Sequence, residues 1–182
     1  LDVPEGIDVF EMADRLHVSE ATVESDLSRV RGLLDGTELT LGRDREVVRL
    51  RGTEAAQRRL LSRLAHDEMD AASFHPETFR RALAATAVGV DSVAPFKSDL
   101  VRELGVLGYY VNELAISDVL LHIAIAAERV AAGHALDSAP PSAREEIPQV
   151  GAVIARLAQE HFAVTLGDGD SGHLASLVLT RI

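Results

Sequence analysis

Asp118, His122 and Arg129 stand four and seven residues apart in an otherwise apolar stretch, residues 117–133. At about 3.6 residues per turn this spacing sets all three on one face of a helix. A helix needed only for a core has no use for them, so they are the first candidates for chemistry. Other chemistries are poorly supplied. His17, His66, His75, His134 and His161 have no partner spacing that suggests a site, and neither His75 with Glu77 nor Glu160 with His161 forms a ligand pair on one helix face. No metal and no cofactor is therefore expected. Gly167-Asp168-Gly169-Asp170 resembles the start of a calcium loop but lacks the remaining ligand positions, and reads as a turn. There is no nucleophile elbow, phosphate-cradling glycine loop or carboxylate dyad, so an enzyme is not expected.

The element that carries the three residues has its own punctuation. Ser117 or a neighbour is placed as N-cap, Asp118 lies in the first turn, and Gly133 can take the left-handed conformation that ends a helix. Before it, Val9, Met12, Ala13 and Leu16 follow helical spacing, His17 and Val18 break the pattern, and Ser19 caps a second helix with Val23, Leu27, Val30 and Leu34 inward. Two helices across so tight a turn form the layout of a helix-turn-helix. Gly36 ends the second helix, and residues 38–42 and 46–50 read as two strands around Arg43, Asp44 and Arg45.

A hairpin directly after such a helix is a wing, which would set Arg43 and Arg45 over a sugar-phosphate backbone. The second helix would then enter the major groove, with Ser19, Thr22, Ser25 and Arg29 on its solvent face as the expected DNA contacts beside the acidic Glu20 and Asp26. A long helix follows, capped by Thr53, with Leu60, Leu61 and Leu64 inward and Arg58, Arg59 and Arg63 outward. Residues 70–76 lose periodicity and read as the join to a second, helical half, with helices expected over 76–88, 96–113, 117–133 and 148–161 and a last one after an acidic turn at 167–172. The expected fold is mostly α: a winged helix-turn-helix domain with its linker helix over residues 1–70, and an all-helical bundle over 71–182.

Composition sets the outer limits. The chain has 182 residues, 47% of them hydrophobic, enough for two small cores. It has no cysteine, which excludes disulfides and thiolate metal sites and points to the cytoplasm, and no apolar run near the roughly 20 residues that cross a bilayer. The net charge of −11 argues against general coating of a polyanion, yet residues 43–51 hold four arginines against two carboxylates. The chain starts at Leu1 and stops at Ile182 within apparent helix, and is expected to be a piece of a longer protein.

Two stretches carry a family resemblance. Residues 10–34, the hairpin, Arg51-Gly52-Thr53-Glu54 and Gln57-Arg58-Arg59-Leu60-Leu61 resemble the winged-helix portion of bacterial regulators with PTS regulation domains. Residues 116–129, with Gly133 beyond them, resemble the first histidine motif of such a domain, and the two occur in the family's order. The resemblance implies a transcription regulator of the mannitol- or lichenan-activator type, within the wider family of BglG-like antiterminators. It would be a homodimer that binds DNA and takes phosphate from phosphotransferase-system proteins. It implies His122 as phosphoryl acceptor, Asp118 as its orienting group, and Arg129 as partner to the phosphate or to a carboxylate across the dimer. The second histidine motif departs from the family: in Asp170-Ser171-Gly172-His173-Leu174-Ala175-Ser176-Leu177, Leu177 stands where the acceptor belongs and His173 takes an aromatic position. The alternative to a DNA-binding regulator is an antiterminator-like dimerisation module that senses phosphorylation without reading DNA, suggested by Glu20, Glu24 and Asp26 on the second helix.

Overall fold

A computed structural model describes residues 6–71, 90–111, 113–138 and 145–181. The chain is mostly helical with one small sheet, and divides into two compact units, 1–60 and 61–182. The division falls inside a helix that runs to Ala71, ahead of the boundary expected after residue 70; the rest of the stretch expected to be a join lies outside the described residues.

The first unit begins with a strand the sequence did not announce, β1 (Ile7–Asp8), which leads straight into α1 (Val9–Leu16). Asp8 caps α1, its carboxylate accepting from the Phe10 N–H at 2.8 Å. The tight turn is made by His17 at φ 54°, with the Val18 N–H donating to the Ala13 carbonyl at 3.0 Å, so a histidine takes the left-handed position usually given to glycine. α2 (Glu20–Leu34) starts on Ser19, as expected. The hairpin strands are β2 (Thr40–Asp44) and β3 (Val47–Arg51), shifted toward the C-terminus from their expected ranges. The sheet is antiparallel in the order β1-β3-β2, with Thr40 opposite Arg51 and Asp44 opposite Val47. Val9, Ala13, Val23, Leu27 and Val48 form its core, which fixes α1 and α2 on one face of the sheet.

α3 (Glu54–Ala71) is capped by the Thr53 hydroxyl, which accepts from the Ala56 N–H at 3.2 Å. Its facing differs from the expectation. Arg58 is buried, with its Nε donating to Glu54 at 2.8 Å, while Leu61 and Leu64 are each 39% exposed. The inward line is Ala56 and Leu60, then Ser62 and Ala65, so a stripe judged by leucines alone is out of phase.

In the second unit α4 (Val90–Val106) begins ahead of the expected residue 96 and carries Pro95 inside it. It also ends early: Gly108 at φ 88° closes it, with the Tyr109 N–H donating to the Leu104 carbonyl at 2.9 Å. α5 (Glu113–Ala131) accordingly starts upstream, so Ser117 lies within the helix rather than at its cap. Its other end is as expected, with Gly133 at φ 87° and the His134 N–H donating to the Arg129 carbonyl at 2.8 Å.

α6 (Ile147–Phe162) has Pro148 in its first turn, where the missing N–H is harmless. α7 (Asp168–Leu179) overturns the turn expected at 167–172, because Gly167 is the extended N-cap residue and Asp168 and Asp170 complement the helix N-terminus. Asp170 is fully buried and accepts the Leu136 N–H at 3.3 Å. A Cβ on Gly169 would come within 2.2 Å of the Leu136 carbonyl oxygen, so glycine is what lets the loop after α5 lie on α7. Phe96, Leu100, Ile123, Ile154, Leu157 and Leu174 lie at the centre of one core that joins α4, α5, α6 and α7. The helix expected over 76–88 falls outside the described residues. Among those described, no helix is long and apolar enough to cross a membrane.

Candidate functional site

Ala65 of α3 packs against Leu121 and Ile125 of α5, which brings the neighbouring Ser62 and His66 beside Asp118 and His122. His66 Nε2 is 2.7 Å from Asp118 Oδ1, and its Nδ1 is 2.7 Å from the Ser62 carbonyl oxygen, so both ring nitrogens face acceptors. Arg181, just past α7, donates through Nε to Asp118 Oδ2. Asp118 thus has a partner on each oxygen, His66 on Oδ1 and the Arg181 guanidinium on Oδ2.

His122 occupies what is left. Its Nε2 is 3.8 Å from Asp118, outside hydrogen-bond range, and its Nδ1 is 3.2 Å from the Ser62 hydroxyl. Asp118, expected to orient the imidazole, gives His122 no hydrogen bond here and is directed to His66 and Arg181. The His122 side chain is 19% exposed, and burial pushes its pKa down to about 4. The Asp118 charge opposes this shift, while Arg181, His66 and His173 add to it. His122 is consequently a neutral imidazole at neutral pH.

Arg129, the expected phosphate partner, is only 3% exposed and engaged within this chain. The arginine at the site is Arg181. Sequence reading missed Ser62, His66, His173 and Arg181. Ser62 and His66 did have a signal, the four-residue spacing that puts them on one face of α3, but nothing local tied that face to α5.

A second histidine of this unit also meets an aspartate. His161 Nε2 is 2.9 Å from Asp99, and its ring stands edge-on to Phe96, which stacks on Phe162. Arg102 also donates to Asp99 and, with help from His161, holds that carboxyl below its usual range. Among the described residues no three histidine, aspartate or glutamate side chains are arranged to hold a metal ion.

In the first unit the expected nucleic-acid residues divide. The Ser19 hydroxyl accepts the Thr22 N–H at 3.2 Å and lies 2.9 Å from the Thr22 hydroxyl, so both are engaged in the cap. Ser25 is exposed, and Arg29 reaches Asp26 at 3.5 Å with most of its side chain in solvent. Arg45 sits exposed in the hairpin loop at φ 53°. Arg43 does not stand out toward a backbone as expected. Its three nitrogens donate to the Arg45 carbonyl at 2.6 Å, to Glu24 of α2, and to Glu46 at 2.8 Å. The Glu24 contact above all raises its already high pKa.

Comparison with models of known protein families gives no match, and comparison with curated proteins gives none.

Proposed function

We propose that this chain is a portion of a DNA-binding transcription regulator of sugar-utilisation genes, with a winged helix-turn-helix followed by a PTS regulation domain, switched by phosphorylation of His122. The observation that carries the reading is the setting of His122: a neutral imidazole near the Arg181 guanidinium. Only an unprotonated ring nitrogen has the lone pair to attack phosphorus. As the new P–N bond forms, the donor protein's P–N bond breaks and its imidazole leaves with that electron pair. The transferred group brings about −1.5 to −2 charge, and Arg181 and His66 are the groups able to pair with it. Ser25, Arg29 and Arg45 are the exposed side chains offered to DNA. The protein acts in the cytoplasm as a homodimer, its partners being DNA and phosphotransferase-system proteins, and it is a switch rather than an enzyme.

The test is salt-dependent binding to promoter duplexes of sugar operons, before and after incubation with the phosphorylated general phosphocarrier. Binding at low salt, with an affinity that phosphorylation changes in the wild type but not in His122→Ala, is expected. Absence of binding at low salt would remove DNA from the reading. The second reading, a dimerisation module that senses phosphate without DNA, is favoured by Glu20, Glu24 and Asp26 on α2 and by the pairing of Arg43.

A further inference from the structure

We infer that Glu24 is a base-reading residue that selects cytosine, and that Arg43 is its positioning residue rather than a phosphate contact. The inference rests on the DNA-binding reading above. In a helix-turn-helix, residues in the N-terminal part of the second helix reach base edges in the major groove. Glu24 lies there, in the second turn of α2, with its side chain 42% exposed. A bare carboxylate at that place would be repelled by phosphates. Here Arg43 neutralises it, gripping Oε1 from across the turn between α2 and β2.

Arg43 is itself fixed by its other donors, Nε to the Arg45 carbonyl and NH2 to Glu46, so the three acceptors hold one guanidinium in one orientation. A network of this kind keeps geometry better than a single exposed ion pair. A charge-compensated carboxylate accepts from the cytosine N4 amino group. It meets adenine less well, because the N7 acceptor lies beside the N6 amino group. The phosphate contact at the hairpin falls to Arg45, at the loop.

The probe is a duplex library with a randomised core, selected on the whole 182-residue chain and then titrated at several salt concentrations, with circular dichroism as the check on folding. Wild type is expected to select cytosine at one position. Glu24→Gln should shift that position toward adenine, which glutamine pairs bidentately, changing the preference about tenfold or more. Arg43→Ala should relax the same position while leaving the slope of log affinity against log salt unchanged. Arg45→Ala should keep cytosine and make the slope shallower by about one, the loss of a single phosphate contact. An unchanged preference in Glu24→Gln, or a slope lowered by Arg43→Ala as much as by Arg45→Ala, overturns the inference while leaving DNA binding in place. If the folded wild type and Glu24→Gln select no duplex at low salt, the DNA-binding reading fails and the inference with it.

Discussion

His122 and His161 each face an aspartate in the same helical unit, and the two pairs are built in opposite ways. His161 bonds directly to Asp99 at 2.9 Å and its ring closes against Phe96, so the pair ties α6 to α4. His122 stands 3.8 Å from Asp118, whose oxygens are already engaged by His66 and Arg181. One imidazole has its carboxylate and is held by it; the other is kept neutral beside a carboxylate already engaged by His66 and Arg181. A histidine–aspartate pairing is thus not by itself a sign of chemistry. What distinguishes the candidate acceptor is the partner it lacks.

The comparison can be pressed by substitution. The largest effect belongs to the aromatic side of the structural pair: Phe96→Ala removes a fully buried ring from the core and is expected to cost about 3–5 kcal/mol in urea unfolding. Asp118→Ala comes next, at about 2 kcal/mol, because it leaves Arg181 and His66 without their shared acceptor at a partly buried place. Asp99→Ala should lose less, because the Arg102 it leaves is 61% exposed and keeps Glu103 as a partner. A larger loss for Asp99 than for Asp118 would reverse the contrast.

The neutrality of His122 can be tested through pH. The folded-state pKa of His122 is lowered to about 4 from an ordinary value of 6.5. Above the ordinary value the residue is neutral in both states and contributes no pH dependence. As pH falls from 6.5 toward 4, the unfolded chain takes up a proton that the folded chain does not, so stability falls with it. Between pH 7 and pH 5 this amounts to about 2 kcal/mol. His122→Asn should be less destabilised over that range by a similar amount, read from urea midpoints at the two pH values. Equal losses in wild type and variant would mean that His122 is not held neutral.

The smallest effects concern helix ends. Gly133 and Ala163 both occupy left-handed positions, at φ 87° and 56°, closing α5 and α6. A Cβ at Gly133 would meet nothing within 4 Å, so Gly133→Ala should cost only the backbone term, about 1 kcal/mol. Ala163→Gly should return a similar or smaller amount. Thermal midpoints of the two variants should therefore move in opposite directions.

Much of the first unit was legible in the sequence because its signals are local. Ser19 and Thr53 are side-chain caps, and the hydrophobic spacing of Val23, Leu27 and Leu34 lies within one helix. Errors came where a residue's meaning is set by something distant. The Asp168–Asp170 stretch looked like a loop because its glycines and acids are turn formers. In the fold Asp170 has Leu136 to bind, and Gly169 is needed where the backbone of Leu136 presses close. Arg58 looked solvent-facing among other arginines, but Glu54 one turn away lets it be buried. The candidate site was half legible. Asp118 and His122 share a helix and could be paired by spacing, whereas His66 and Arg181 reach Asp118 from other parts of the chain. The burial of Arg129 was not legible for a related reason: helical spacing gives the face, and burial depends on what packs there.

The central claim is that His122 is the phosphoryl acceptor and His161 a structural tie. Its most direct test is intact mass after incubation with the phosphorylated general phosphocarrier, on wild type, His122→Ala and His161→Ala, each first shown to be folded. The account predicts one phosphoryl group on wild type and on folded His161→Ala, and none on His122→Ala. Undiminished uptake by His122→Ala would contradict it.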